Sequence, residues 1–386
     1  IGPHWGEVTS FALPDAGSAG MPIDPGDPPY LHEPATDDEF KAKAVEVVEY
    51  SSLLDPRDGV TVDISPASWG NAPLGSNDFA GHAFNPWTSL PYAPVEVPRA
   101  DFGRVLAEFW ADGPDSETPP GHWNTLANSV VDHPEFERRL GGRGPELDPL
   151  EWDVKLYLAL NGAVHDAAIA AWGAKSHYDY VRPISMIRWM GGLGQSSDPT
   201  LPAYHPDGLP LVDGQVELIT AASAAPGERQ ADLDDHVGEF AIRAWAGNPG
   251  DTASELGGVD WIRAVEWVPY QLSTFVTPSF AGYVSGHSTF SRAAAEVLTA
   301  MTGSAYFPGG LGEWTVPAGS LHFEAGPSVD VPLQWATYYD AADQAGLSRL
   351  YGGIHVEADD LRGRVMGAQC GEDAWTVAQT YWDGTA

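Results

Sequence analysis

The sequence predicts an all-α protein built from packed helix bundles, with a long loop-rich N-terminal segment wrapped around them. Apolar residues recur at helical spacing from Arg99 onward, and alternation typical of strands is rare. Residues 1–35 and 56–98 are instead rich in Pro, Gly and Asp. With 43% hydrophobic residues and 15 Trp, the chain can bury a large core. We therefore expect a loop-rich segment over 1–98, packed on a helical domain over 99–386.

The elements are predicted in chain order. Thr36 and Glu39 form the T-x-x-E pattern of a capping box, which opens a helix through about Leu54. The loops on either side carry aromatic residues that are expected to anchor them to the core: Trp5, Phe11, Trp69, Phe84 and Trp87. Further helical patterns span 100–112, 123–140, 149–174, 177–190, 214–223, 235–246, 253–274, 287–303, 332–350 and 355–382.

The net negative charge of the chain argues against anionic binding partners. The chain has 54 acidic and 19 basic residues and a formal net charge of −35, with only four lysines. Nucleic acid and anionic membranes would repel such a protein, and no apolar run reaches the roughly 18 residues of a membrane span. The acidic surface suits high or marine salt, where screening reduces self-repulsion; ordinary acidic solubility is the alternative. The single Cys370 leaves the redox compartment open.

The first candidate motif is "HDAAIAAWGAKSHYDYVRP", residues 165–183. Lys175 and Arg182 are seven residues apart, a spacing that places both on one helix face, about 10 Å from each other. Pro183 disfavours helical backbone at Arg182, so the second cation is expected at a helix end or kink. Long side chains at these positions can converge on one anion, whereas the alternative is a pair of solvated surface cations.

The second motif is "GYVSGHSTFSRAAAEVL", residues 282–298, in which a turn delivers His287 onto the first turn of an Ala-rich helix. Gly286 permits close backbone approach. The free N–H groups of Gly286, His287 and Ser288, together with the helix dipole, favour a bound oxyanion. Ser285 adds a hydroxyl donor. The alternative is that Ser285 or Ser288 only caps the helix, which leaves the histidine unexplained.

The third motif is "SRLYGGIHVEADD", residues 348–360. Arg349 supplies a third cation, and two glycines break the helix before His355 begins the next one. Asp359 follows His355 by one turn, where it can orient the imidazole; the alternative is a helix hairpin with a capping histidine. Taken together, three cations, helix-start amides, a hydroxyl and two histidines suit a tetrahedral oxyanion of the phosphate or vanadate type.

In this order the motifs resemble those of the vanadium-dependent haloperoxidases and the related acid phosphatases. The matching residues are Lys175, Arg182 and Pro183, then Ser285, Gly286 and His287, then Ser348, Arg349, His355 and Asp359. Val284 stands where the family pattern has Pro, which removes a turn element but no contacting group. The gap of 101 residues between Pro183 and Ser285 favours the haloperoxidase branch. The similarity extends over most of residues 100–375.

The resemblance implies two four-helix-bundle-like halves around an oxyanion site, and it implies a role for each residue. His355 would be the axial nitrogen ligand of vanadate and His287 the acid–base group. The catalytic set would include Lys175 and Asp359 besides His287. The groups implied to hold the oxygens of vanadate, or of phosphate in its absence, are Lys175, Arg182, Ser285, Gly286 and Arg349.

The implied reaction uses hydrogen peroxide to oxidise a halide to hypohalous acid, which halogenates a small organic substrate. Bromide is the expected halide, with chloride or iodide as alternatives. Trp172 and Phe280 match an aromatic pair of the chloride-oxidising type, although Trp172 fits equally well as a core residue on the apolar face that it shares with Ile169. Ser288 is expected near the same halide pocket. One alternative is an acid phosphatase in which His355 attacks phosphorus, and another is a non-catalytic oxyanion-binding protein.

The implied product also suggests where the protein works. Enzymes that release hypohalous acid are usually kept outside the cytoplasm, so a secreted or periplasmic location is expected. The chain starts without Met, which is compatible with a removed leader. A homodimer is a further expectation.

Overall fold

Helices form the framework of the computed structural model, which describes residues 4–5, 8–14, 21–111 and 117–386. The α-helices of this part of the chain are α1 Asp37–Ser52, α2 Arg99–Phe109, α3 Pro119–Val131, α4 Pro149–Tyr178, α5 Pro183–Leu193, α6 Gly286–Thr302, α7 Tyr338–Tyr351 and α8 Glu357–Asp383. Strands are few and short, so the predicted all-α class is confirmed.

The helices pack in two connected groups, and the two bundle-like halves implied by the family resemblance stay a prediction. Helices α4, α6 and α8 contact one another, and α3 packs on α4 and α6. Helices α1 and α2 pack on α7, with α5 beside α1. Contacts of α7 with α6 and α8 join the groups. The junction brings together the ends of α4, α6 and α7, so residues that are far apart in sequence meet there.

A glycine row sets the distance between α6 and α8. A Cβ atom on Gly363, Gly367 or Gly371 would lie 2.4–2.8 Å from a backbone oxygen of α6 or of Ser285, which precedes it. These glycines recur every fourth residue of α8 and therefore share one face. Their lack of side chains lets the two backbones approach closely, which brings the start of α8 against the start of α6.

Helix boundaries follow local signals. Pro occupies the first turn of α3, α4 and α5, where its missing N–H costs nothing. Asp179, with φ of 44°, ends α4 in the left-handed conformation. Arg182 has extended backbone directly before Pro183, at the helix end where the sequence predicted it. The predicted capping box of α1 is wrong, because the Thr36 hydroxyl bonds the backbone of Tyr30 instead.

Three helix predictions between residues 214 and 274 are wrong. These segments form an antiparallel sheet in the order β3 Val216–Leu218, β4 Phe240–Trp245 and β5 Val259–Arg263. Strand β4 is buried on both faces, and an apolar run of that kind is indistinguishable from a buried helix by periodicity. Two further antiparallel pairs are β1 Thr61–Asp63 with β2 Glu96–Pro98, and β6 Gly312–Val316 with β7 Val331–Trp335. Strand β7 replaces the start of the helix predicted over 332–350.

The described parts of the N-terminal segment lie on the helices. The Asp166 carboxylate of α4 accepts hydrogen bonds from the backbone N–H groups of Phe11, Ala12 and Leu13. Phe84 and Trp87 are 59% and 46% exposed, so their predicted role as anchors is wrong. Residues 1–3, 6–7 and 15–20 of the predicted N-terminal segment lie outside the described residues. The division at residue 98 stays a prediction.

No helix of the described residues is both long enough and apolar enough to cross a bilayer.

Candidate active site

The three motifs meet at one cavity of about 540 Å³. Lys175 comes from the last turn of α4, Arg182 from the residue before α5, and Arg349 from the last turn of α7. His355 lies in the short link between α7 and α8. The charged and site residues of the motifs that line the cavity include Lys175, Arg182, Gly286, His287, Arg349 and His355.

Hydrogen bonds fix the tautomer of His355. Its Nδ1 lies 2.8 Å from Asp359 Oδ2, as the spacing predicted, and its Nε2 lies 3.0 Å from Arg182 Nη1. A guanidinium only donates, so Nε2 must accept and the proton must be on Nδ1. Burial and the charge of Arg182 hold the pKa of His355 well below its usual range. The residue therefore presents a neutral imidazole with its Nε2 lone pair toward the cations.

Arg182 is held by the backbone yet keeps one buried donor unused. Its Nε donates to the Phe280 carbonyl at 3.0 Å and its Nη1 to the Ile354 carbonyl at 2.8 Å. Burial lowers the pKa of Arg182 to about 10, which leaves it protonated at neutral pH. Its Nη2 is buried without a hydrogen-bond partner. Because buried polar groups are nearly always paired, this nitrogen is available to donate to an anionic ligand.

Lys175 is aimed by two carbonyl groups of the loop before α6. Its Nζ donates to Ala281 O at 2.9 Å and to Gly282 O at 2.7 Å. An ammonium has three protons, so one is left for a ligand. Burial, and then repulsion from Arg182, lower the pKa of Lys175 well below its usual range. A bound anion would act in the opposite direction and favour the charged form.

His287 is held in the other tautomer. Its Nε2 lies 2.7 Å from the Trp110 carbonyl oxygen, which can only accept, so Nε2 carries the proton and Nδ1 has a free lone pair. Burial, and then the charge of Arg349, lower the pKa of His287 well below its usual range. The side chain is therefore a neutral base. The Trp110 indole in turn donates to Gln344 Oε1 at 3.2 Å.

Backbone carbonyl groups that support the site had no counterpart in the sequence motifs. The carbonyl groups at the end of α2 hold two site residues, since Arg349 Nη2 donates to Ala107 O at 2.8 Å just as His287 donates to Trp110 O. The last carbonyl groups of a helix have no N–H partner within it and carry partial negative charge, which favours a neighbouring cation. Because the groups are backbone atoms, no residue pattern could have identified them.

Ser288 does not lie in the cavity, so its predicted place in a halide pocket is wrong. It is fully buried, with its Oγ 2.7 Å from Asp360 Oδ1 and 2.8 Å from Ser285 Oγ. Its N–H, predicted to be free, donates to Ser285 Oγ at 3.3 Å. Gly286 and His287 keep the amides that have no acceptor within the helix. Ser285 therefore caps helix α6, as predicted, through the N–H of Ser288. The N–H groups of Gly286 and His287 remain available to an anion at the start of the helix.

Comparison with known proteins decides the family. Residues 155–384 match the family described as the VCPO second helical-bundle domain, which is more than half of the chain. The chain belongs to the vanadium-dependent haloperoxidase family. No curated protein matches the sequence.

Two solved structures of bacterial vanadium-dependent chloroperoxidases share the haloperoxidase fold. The holo-type structure has a TM-score of 0.55 and 17% identity, and the match covers 99% of this chain and 55% of that one. The apo-type structure has a TM-score of 0.59 and 18% identity, covering 99% and 56%. This chain therefore spans a little over half the length of either protein. At such identity the likeness establishes the fold alone.

In this haloperoxidase relative, aromatic rings line the cavity beside the cations. The ring centroids of Trp172 and Phe280 are 5.2 Å apart, and Lys175 Nζ lies 5.8 Å and 5.4 Å from them. A Cβ atom on Gly286 would lie 3.2 Å from the Trp172 ring, so close packing at this place favours glycine. Trp172 is therefore part of the cavity wall as well as of the core, and its predicted role in halide binding stays a prediction.

Proposed function

We propose that this chain is a vanadate-dependent haloperoxidase that oxidises halide with hydrogen peroxide to hypohalous acid. The observation that carries the proposal is the buried, unprotonated Nε2 of His355 among cationic donors. A neutral imidazole nitrogen is a common metal ligand. The donors around it suit the oxygens of an anion rather than a bare metal cation.

The residues present fit vanadate. Three cations reach the cavity, whereas the carboxylate of Asp359 is engaged with His355 and no carboxylate is among the described cavity-lining residues. Buried charges need compensation, and an oxyanion supplies it. His355 would bind the metal centre, with Arg182 Nη2, Lys175, Arg349 and the Gly286 amide on the oxygens. Ser285, expected in the same role, is fully buried and is not among the residues that line the cavity, so its role stays a prediction. When bound, vanadate supplies Lewis-acid activation of peroxide without a change in its oxidation state.

The chain's own side chains would transfer a proton, stabilise negative charge and orient the proposed metal ligand. His287 Nδ1 accepts the proton that hydrogen peroxide loses on binding, because the Trp110 carbonyl keeps the other nitrogen protonated. Lys175 and Arg182 stabilise negative charge on oxygen from fixed positions in a buried site. Asp359 keeps His355 in the ligating tautomer.

The choice of halide is a finer proposal. Bromide is our expected substrate, with chloride or iodide as alternatives. The Trp172 and Phe280 pair supports chloride oxidation in addition, since aromatic rings beside Lys175 and Arg182 offer a weakly hydrated place for an anion.

Vanadate-dependent turnover tests the proposal. The protein is reconstituted with orthovanadate in phosphate-free buffer, and bromination of a phenolic dye is followed with peroxide and bromide. We expect turnover that requires vanadate and disappears after chelation of the metal. Absence of that turnover, together with cleavage of a phosphate ester by the vanadium-free protein, would overturn the proposal in favour of a phosphatase. Vanadate binding with neither activity would indicate an oxyanion-binding protein.

A further inference from the structure

A second cavity, of about 340 Å³, lies between α2, the start of α3, strand β6 and the loop that follows β6. None of its described lining residues also lines the cavity of the anion site. We refer to it as the acidic cavity, after Glu108 and Glu117 in its lining. Cavities that bind small organic molecules typically span about 300–1,000 Å³. The acidic cavity therefore has room for a small organic molecule of about one ring.

The charge of the acidic cavity is the reverse of that of the anion site. Its described lining includes two Glu and neither Lys nor Arg. Glu108 Oε2 accepts from the His322 N–H at 2.7 Å. Glu108 Oε1 accepts from the Phe323 N–H at 3.1 Å and from the Tyr270 hydroxyl at 3.0 Å. A carboxylate has about four acceptor positions, so one is left for a ligand.

Burial of Glu108 makes a cationic ligand favourable. Burial raises the pKa of Glu108 to about 7, because removal from water penalises the charged carboxylate. A cation bound beside it would favour the charged form and would itself be stabilised. An anionic ligand would instead meet the charges of Glu108 and Glu117.

His122 supplies an unused polar group in the same cavity. Its side chain lines the cavity and the residue is only 5% exposed. In the part of the chain that the structure describes, neither ring nitrogen makes a hydrogen bond, and Nδ1 lies 4.0 Å from Glu117 Oε2. Burial lowers the pKa of His122, so the ring is neutral at pH 7 and keeps one nitrogen lone pair. Since buried polar groups are nearly always paired, this lone pair is available to an N–H donor of a ligand.

Aromatic rings surround the same space. The ring centroid of Phe109 lies 4.5 Å from that of His122 and 5.7 Å from that of Trp314. The centroids of His122 and Trp314 are 6.4 Å apart, and Phe323 adds a further ring to the lining. Clusters of aromatic rings bind ammonium ions through their negatively polarised faces. Carboxylates, aromatic faces and a free lone pair thus favour one kind of ligand, which carries a positive charge and an N–H donor.

We propose that the acidic cavity is a second binding site, which takes a small organic ammonium ion with at least one N–H group. The ammonium group lies beside Glu108 and His122, and the organic part packs against Trp314. Trp110 connects this site to the candidate active site. Its ring centroid is 4.7 Å from that of His122, and its carbonyl oxygen accepts from His287.

Calorimetry with benzylamine, which is protonated at pH 7, tests the site on the vanadium-free protein, so haloperoxidase activity does not enter the result. Wild type is expected to bind benzylammonium at least about tenfold more tightly than benzyl alcohol, which has no charge to pair with Glu108. Glu108→Gln keeps the shape of the side chain and removes its charge, so we expect it to weaken benzylammonium binding by at least about tenfold. Trp314→Leu is expected to weaken it by about threefold through loss of the ring face.

Glu313→Gln is the matched control for the loss of one negative charge. Glu313 precedes Trp314 in strand β6, but it accepts from Gln334 Nε2 and is not among the described residues that line the acidic cavity. Adjacent residues of a strand point to opposite faces. Glu313→Gln is therefore expected to bind benzylammonium like wild type.

Three results would refute the ammonium site: no binding of benzylammonium to wild type, equal binding of benzylammonium and benzyl alcohol, or equal binding to wild type, Glu108→Gln and Trp314→Leu. Thermal unfolding of each variant shows whether it folds. If Glu108→Gln does not fold, the comparison with benzyl alcohol and the effect of Trp314→Leu decide, because the Trp314 side chain is 38% exposed and its replacement leaves the core intact.

Discussion

Ala in place of His355 is expected to abolish retention of vanadate, with vanadium affinity falling by at least about 100-fold. Even changes to groups that only orient a metal ligand typically cost about 10–100-fold in affinity, and His355 is the proposed ligand itself. Phosphate, which needs only the surrounding donors, is expected to bind within about tenfold of wild type. Vanadium content after gel filtration and calorimetry with phosphate provide the two measurements.

Comparison of vanadate with phosphate binding distinguishes loss of the metal ligand from misfolding of the variant. A misfolded variant would lose both, whereas loss of a nitrogen ligand affects vanadate alone. His165→Ala is the matched control, because His165 also lines the cavity and, within the described part of the chain, contacts the Thr9 carbonyl rather than a group of the anion site. That variant is expected to keep vanadium. Full vanadium occupancy in His355→Ala would show that the ligand assignment is wrong.

His287→Ala is expected to keep vanadate and to lose most of the peroxidase turnover. Removal of a positioned acid–base group typically costs about 10²–10⁴-fold in rate. The structure gives a reason for the base role, since the Trp110 carbonyl holds the proton on Nε2 and leaves Nδ1 unprotonated. Steady-state rates against peroxide at saturating bromide, normalised to vanadium content, measure the effect.

Chemical rescue distinguishes proton transfer from a structural role. The cavity has room for a free imidazole where the side chain of His287 is removed. Added imidazole is expected to restore part of the lost rate in His287→Ala and to leave wild type unchanged. Unchanged turnover in the variant itself would remove His287 from the proposed chemistry.

The candidate site was predictable because its side chains occur in short motifs with local geometry. Pro183 fixes the backbone at Arg182, and one turn of helix sets the distance from His355 to Asp359. Long side chains then need only be brought to the same end of the bundle. The prediction that Ser288 lies in the halide pocket failed because adjacent residues of a helix point in different directions. The Ser288 side chain points toward Asp360 and away from His287.

Other parts of the fold depend on contacts that the sequence does not show. Strand β4 is buried on both faces except at the half-buried Arg243, so it lacks the regular alternation that would separate it from a helix. The glycines of α8 fit a helix pattern without revealing that they face the backbone of α6. Every residue has a backbone carbonyl, so a sequence cannot single out that of Trp110. Its role becomes visible only in the structure, where its oxygen lies 2.7 Å from His287 Nε2.

The most direct test of the proposed site is a crystal structure of the protein grown with orthovanadate and without phosphate. We predict vanadium bonded to His355 Nε2, with Arg182 Nη1 released from that nitrogen and Arg182 Nη2 donating to an oxygen of the anion. An anion bound elsewhere in the cavity, or a His355 Nε2 that still accepts from Arg182 with vanadate present, would contradict the account.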